Sequence, residues 1–145
     1  MPVPISEFMT RETKTIQPST SVGEAYALMR KNRIRHLPVI AGGKVVGILS
    51  HRDLLKIEAL ANIDRSKDPV SDAMTIDPYI VPPEEPLVSV VSVMALRKLG
   101  SAVIVESGKV AGIFTTTDAL HAFAMMLRSS QDREQKTVLS PTLVS

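Results

Sequence analysis

Gly43-Lys-Val-Val-Gly-Ile-Leu-Ser-His-Arg-Asp-Leu-Leu55 returns, 65 residues further on, as Gly108-Lys-Val-Ala-Gly-Ile-Phe-Thr-Thr-Thr-Asp-Ala-Leu120. The match extends backwards without a gap, so residues 6–55 align with residues 71–120 at twelve identities in fifty positions. Met9-Thr10 falls on Met74-Thr75, Pro18 on Pro83 and Met29 on Met94. Other pairs are conservative, among them Ile34 with Leu99, Val39 with Ile104 and Ser50 with Thr115. Self-similarity at a fixed offset over this length marks a duplicated structural unit. Neither copy is large enough to bury a core alone, so the two are expected to pack their strands together.

Each copy reads as β-α-β-β-α. Lys14-Thr-Ile-Gln-Pro18 is an extended piece, since the residue before a proline disfavours helix. Ser21-Val-Gly-Glu24 is a Ser-x-x-Glu capping box, and Val22, Ala25, Tyr26 and Met29 then share one helical face. Leu37–Ile40 and Lys44–Ser50 read as strands around a Gly42-Gly43 turn, and Asp53 is expected to cap the next helix. In the second copy, Leu87-Val-Ser-Val-Val-Ser-Val-Met94 has strand-like composition. It aligns with the first capped helix, and Pro86 suits a first helical position, with Glu84 and Glu85 near the positive end of the dipole. It is therefore read as helix, with Leu87, Val90, Val91 and Met94 on one face. Ala102–Val105 and Lys109–Thr115 are strands joined at Ser107-Gly108, and Asp118 opens a helix to about Leu127. The resulting division is 3–60 for the first repeat, 61–69 for a polar, solvated linker, 70–128 for the second repeat and 129–145 for an unassigned tail.

Composition narrows the function classes. Of 145 residues, 44% are hydrophobic, enough for a core, and the absence of cysteine removes disulfides, thiol nucleophiles and thiolate metal sites. It suits a reducing, cytoplasmic setting. The start of the chain has neither the basic nor the apolar region of a signal peptide. The longest uncharged apolar-rich stretch, Leu87 to Leu96, is ten residues, about half of what a bilayer needs, so no membrane span is expected. The pI near 9.0 reflects a net charge of only +2, and with 3% aromatic residues it argues against nucleic acid as a partner.

The repeats resemble a tandem pair of cystathionine-β-synthase (CBS) domains, a Bateman module. The resemblance rests on Ser6-Glu-Phe-Met-Thr10, Val22-Gly-Glu-Ala-Tyr-Ala-Leu-Met29, Ile34-Arg-His-Leu-Pro-Val-Ile40 and the Lys44–Leu55 string. Their counterparts are Val70-Ser-Asp-Ala-Met-Thr75, Leu99-Gly-Ser-Ala-Val-Ile-Val105 and Gly108–Leu120. It covers about residues 3–125 and implies an α+β fold with pseudo-two-fold symmetry. It further implies AMP, ADP, ATP or S-adenosylmethionine as a regulatory ligand in clefts between the repeats, with no cofactor required. Such a module regulates another protein, here unknown, and pairs into a homodimer.

The shared pattern Gly-h-x-Ser/Thr-x-x-Asp also has its own chemistry. A strand-to-helix junction presents free backbone N–H groups and a positive dipole end to a phosphate, and a carboxylate three residues on can accept from a ribose diol. The resemblance assigns Asp53 and Asp118 to ribose. It assigns Ser50 and Thr115, with Arg52 or Thr117, to the ribose–phosphate side. It brings Lys14, Thr15 and Ile16 toward Asp118, and Tyr79, Ile80 and Val81 toward Asp53, for contacts to adenine. Ile34, Arg35, Leu99 and Gly100 are to line the clefts. The copies differ: Ser50-His-Arg-Asp53 offers a cation where Thr115-Thr-Thr-Asp118 offers hydroxyls, and Arg35 stands against Gly100. Two related sites of unequal affinity are expected.

Plainer roles compete with each of these. Both aspartates are good helix caps, Ser50 and Thr115 can simply end strands, and Arg35 and Arg52 can be solvated charges. An enzyme is disfavoured, because Ser50, His51 and Asp53 are too close in sequence to converge as nucleophile, base and orienter. His36, His51 and His121 lack zinc-ligand spacing, and no phosphate-binding glycine loop is present. A ligand-free structural or protein-interaction module is the alternative function. For the dimer, the faces carrying Val22, Ala25, Tyr26 and Met29, and Leu87, Val90, Val91 and Met94, are expected to exceed what one module buries, with Tyr26 and Met29 the positions to probe.

Overall fold

The structure, a computed structural model, describes residues 2–144, with backbone alone for residues 136–144; Met1 and Ser145, the ends of the first repeat's approach and of the tail, lie outside the described residues. Four helices and six strands follow in the order α1 (Val22–Asn32), β1 (His36–Ala41), β2 (Lys44–Ser50), α2 (His51–Leu60), β3 (Thr75–Ile76), β4 (Ile80–Val81), α3 (Leu87–Arg97), β5 (Ser101–Glu106), β6 (Lys109–Thr115) and α4 (Thr116–Val144). The duplication is reproduced in backbone detail. Both hairpins, β1–β2 and β5–β6, carry a register irregularity at matched positions, Val39/Ile40 and Ile104/Val105. Gly42-Gly43 and Ser107-Gly108 all have positive φ, between 52° and 79°, as the tightest two-residue hairpin turn requires. Helices α1 and α3 end alike on a left-handed residue, Arg33 at φ 53° and Lys98 at φ 57°.

The β-branched run Leu87–Met94 is helical, as its repeat partner implies. Pro86, however, stands just outside α3 as its flanking residue, at ψ 135°, and Leu87 is the first helical position. The Ser21 hydroxyl accepts from the Glu24 N–H, supplying the serine half of the expected box.

Two three-stranded sheets form, ordered β1-β2-β3 and β4-β5-β6. The short strand β3 belongs in sequence to the second repeat, yet it pairs antiparallel with β2 of the first, Ile48 opposite Thr75. Reciprocally, Thr10 of the first repeat bridges to Ile113 of β6. The exchange continues outward in matched pairs. Ile5 N–H donates to Glu85 at 2.8 Å and Val70 N–H to Thr20 at 2.8 Å; Leu87 N–H donates to Val3 at 2.7 Å and Val22 N–H to Asp68 at 2.9 Å. Each apolar core is accordingly composite. Ile5 and Met9 pack with Val81, Val90, Met94 and Phe114, while Val70 packs with Val22, Met29, Leu37 and Leu54.

Three expectations are corrected here. The helical faces proposed for dimer contact are already spent on these cores: Val22, Ala25, Met29, Leu87, Val90 and Met94 are buried, and Val91 and Tyr26 are half-buried against them. A sheet covered on one side by a helix consumes that whole helical stripe. The linker 61–69 is largely exposed but is anchored to α1: Arg65 C=O accepts from Gly23 N–H at 2.8 Å, Asp68 C=O from Val22 N–H at 2.9 Å, and Ile63 packs partly against the first core. And α4 does not stop near Leu127; it runs without a break at residue 128, there being no glycine or proline from Thr116 to Ser140.

The exchanged strands press on glycines. A Cβ on Gly112 would sit 2.6 Å from the Thr10 carbonyl oxygen, and one on Gly47 would sit 2.9 Å from that of Thr75. Gly112→Ala is expected to destabilise by about 1–3 kcal/mol, lowering the melting temperature by about 2–4 °C per kcal/mol. Circular dichroism melts check this; an unchanged midpoint would mean that the opening segment does not hold against β6.

Candidate functional site

Both Ser/Thr-x-x-Asp motifs sit where a sheet strand turns into a helix, β2 into α2 and β6 into α4. At the first, the flanking residue is Ser50 and not Asp53. Ser50 Oγ accepts from Asp53 N–H at 3.0 Å, and the Asp53 carboxylate accepts from Ser50 N–H at 2.9 Å, a closed reciprocal box. Thr115 and Asp118 repeat it, at 3.3 and 2.9 Å, with the Thr115 hydroxyl also donating to Asp118 at 3.2 Å. The aspartates are thus third helical residues that reach back, which corrects their reading as the caps themselves.

The other repeat reaches each box through a threonine. Thr10 Oγ1 donates to Asp118 Oδ1 at 3.1 Å, and Thr75 Oγ1 to Asp53 Oδ2 at 3.4 Å. Met9-Thr10 and Met74-Thr75 are identities of the repeat, so the signal for these two partners was in the alignment, without an indication of which carboxylate each would meet. Lys14, Thr15 and Ile16 run on past Thr10 to β1, where Ile16 exchanges backbone bonds with Pro38 and Ile40 at 3.0 and 2.8 Å. Tyr79 likewise leads into β4, its carbonyl accepting from Val103 N–H at 2.8 Å. Ile80 is exposed and Val81 buried. Arg52 and Thr117 lie exposed in the first turns of α2 and α4.

Residues 35 and 100 are tied to the junctions by backbone. Arg35 C=O accepts from His51 N–H at 2.8 Å, and Gly100 C=O from Thr116 N–H at 3.2 Å. The space beside Gly100 is taken by the other repeat: a Cβ there would meet His36 Nε2 at 3.2 Å. His36 therefore stands at the seam of the two repeats. Burial pushes its imidazole below the ordinary value of 6.5; Asp53 and Asp118 both oppose that shift, and Arg35 adds to it. One histidine thus senses both candidate carboxylates.

A cavity of about 490 Å³ lies between α1 and α2 of the first repeat. Ile34 and Arg35 line it together with Arg30, Arg33, His51 and Arg65. A second, of about 750 Å³, lies at the hairpin end of β1 and includes Thr15, Ile16 and Gly42. Among the described residues, no three His, Asp or Glu side chains cluster as metal ligands, and no helix is long and apolar enough to cross a membrane.

A family model described as "CBS domain" matches twice, over residues 5–59 and 70–125, which brackets both junctions and both exchanged segments. The chain belongs to the CBS-domain family. An inosine-5'-monophosphate dehydrogenase of Korarchaeum cryptofilum is 37% identical over 115 residues, 79% of this chain but 23% of that protein. The chain spans less than half of the length of that relative and of the next curated one. Among solved structures, CBSX2 in complex with AMP superposes with a TM-score of 0.73 at 26% identity, covering 84% of this chain and 97% of that one. The CBS domain pair of protein MJ0100, in complex with 5'-methylthioadenosine and S-adenosyl-L-methionine, gives 0.75 at 25% identity, covering 83% and 99%. The CBS pair explains the paired sheets and the two equivalent junctions of the present fold.

His36 gives the CBS pair a titratable seam. Its lowered value in the folded state means that the unfolded chain takes up the proton first as pH falls. The associated stability is full above 6.5 and is lost as pH falls below it. His36→Ser, copying Ser101 of the second repeat, is expected to flatten the decline of urea midpoint between about pH 7 and pH 5. Parallel slopes for parent and variant would remove His36 from that role.

Proposed function

We propose that this CBS pair is a regulatory module that binds an adenosine-containing ligand (AMP, ADP, ATP or S-adenosylmethionine) at the Asp53 and Asp118 junctions and signals to a separate, unidentified protein in the cytoplasm. The observation that carries the reading is the pair of matched hydroxyl–carboxylate boxes, each joined by a threonine of the other repeat. A carboxylate has about four acceptor positions. The box and the threonine leave Asp53 Oδ1 open to a ribose diol, and leave one acceptor position on Asp118 for a single ribose hydroxyl. The positive dipole ends of α2 and α4 suit a phosphate. Ser50, Thr115, Arg52 and Thr117 stand beside them, and Arg35 adds a cation on the first side only. Structures of related pairs named with AMP, or with methylthioadenosine and S-adenosylmethionine, support this ligand class. Lys14, Thr15, Ile16, Tyr79, Ile80, Val81, Ile34, Leu99 and Gly100 complete the proposed clefts.

The closed boxes favour one competing reading, a ligand-free interaction module in which the aspartates only secure α2 and α4. Titration calorimetry with AMP, ATP and S-adenosylmethionine separates the two. Asp53→Ala/Asp118→Ala, verified as folded by circular dichroism, is expected to weaken binding at least about tenfold through loss of a charge-assisted hydrogen bond. Unchanged affinity would overturn the site, and no binding of any of the three to the parent would favour the interaction module.

The proposed module is a homodimer. With the inner helical faces buried, the proposed contact is the exposed apolar run on α4, where Leu120, Phe123 and Leu127 are spaced three and four residues apart and are 68%, 59% and 48% exposed. Phe123→Glu is expected to halve the mass measured by light scattering without lowering the melting temperature of the protomer. A parent mass of 15.8 kDa would reject the dimer.

A further inference from the structure

The cavity between α1 and α2 has a charge that nothing in the fold requires. We propose that it is a subsite for a chain of two or more linked phosphates, either free or carried by a nucleotide. Arg30, Arg33, Arg35, Arg65 and His51 line it, and no carboxylate does. Arg65 pairs with Glu58 at 2.6 Å, whereas Arg30, Arg33 and Arg35 have no such acid partner among the described residues. Guanidinium groups gathered on one cavity repel one another, and an anion of several charges relieves them together. Arginine is suited to this because its planar fork donates two bonds to a phosphate.

The part of the wall made by Tyr26, His51 and Arg65 is held together before any ligand arrives. Tyr26 OH donates to Glu58 Oε2 at 3.0 Å, the Arg65 guanidinium lies 4.5 Å above the tyrosine ring, and the His51 ring meets its edge at 5.8 Å. The cavity of about 490 Å³ is within the usual range for small-molecule sites. It belongs to one repeat only. The matched positions of Arg30, Arg33, Arg35 and His51 are Ala95, Lys98, Gly100 and Thr116, leaving one lysine where the first repeat has three arginines and a histidine. Packing common to both repeats therefore does not explain the arginines. The inference does not depend on the adenosine reading, because an inorganic phosphate chain carries no nucleoside.

Calorimetry without divalent cations tests it, using tripolyphosphate, ATP and AMP on three folded proteins. These are the parent, Arg30→Gln/Arg33→Gly and Asp53→Ala/Asp118→Ala. Glycine is the favoured residue at the left-handed position of Arg33, so the arginine variant keeps its α1 terminus. Tripolyphosphate is expected to bind the parent, more weakly as salt is raised. Its affinity should fall at least tenfold in the arginine variant and stay unchanged in the aspartate variant. If ATP loses affinity in both variants while AMP responds only to the aspartates, the phosphate chain belongs to a nucleotide. If ATP ignores the arginine variant, the subsite takes a free chain. Lys44→Gln/Lys109→Gln removes the same charge from the exposed starts of β2 and β6 and should bind as the parent does. Failure of tripolyphosphate to bind the parent, unchanged affinity in the arginine variant, or an equal loss in the lysine variant would each overturn the subsite.

Discussion

Thr10 and Ile113 exchange backbone hydrogen bonds of 2.9 and 2.8 Å, and around this contact the opening segment of the first repeat is held on the sheet of the second. Its mirror, Thr75 opposite Ile48, does the same in the other direction. Without β3 the first sheet would keep only the β1–β2 hairpin, an arrangement of marginal stability in water, and the second, β4-β5-β6, would lose the bridge that covers its β6 edge. The composite cores follow from the same exchange, since Ile5, Met9 and Val70 travel with the exchanged segments. So does the candidate site. The threonines that meet Asp118 and Asp53 sit on the exchanged strands, and carboxylate geometry and repeat docking are one and the same event.

Much of this was legible in the residues. The 65-residue offset predicts two equivalent units, and it overrode the strand-like composition of Leu87–Met94 correctly, because a buried helical face tolerates β-branched residues where packing decides. Hairpin turns at Gly42-Gly43 and Ser107-Gly108 were readable from local chemistry alone. Periodicity, in contrast, identifies an apolar face without saying what covers it. The stripes of α1 and α3 are buried in the cores, and α4 carries a run of exposed apolar residues that its periodicity did not single out. The helical continuation past residue 128 was hidden by polarity, which ends a buried stripe but does not end a helix.

At the site, the hydroxyl–x–x–carboxylate spacing correctly placed Ser50 with Asp53 and Thr115 with Asp118. It misassigned which residue caps, because both members of a reciprocal box fit the same pattern. The repeat alignment marked Thr10 and Thr75, but which carboxylate each meets, and the place of His36, emerged only in three dimensions. Their partners lie across the seam, 108 and 22 residues away for the two threonines, and a linear pattern holds no information on such contacts. The arginines of the α1–α2 cavity were likewise scattered as Arg30, Arg33, Arg35 and Arg65. The left-handed turn at Arg33 and the anchored linker carry them to one place.

The reciprocal exchange of opening segments has a consequence for ancestry. Each repeat completes its neighbour with a piece equivalent to the one it receives, so the geometry is that of a two-fold dimer whose halves have been fused in one polypeptide. A single ancestral copy could have closed its core by trading the same segment with a second molecule. Gene duplication then needed only a tether, and residues 61–69 supply it. Once the halves were joined, symmetry was no longer enforced by identity. One side carries Arg35 where the other carries Gly100.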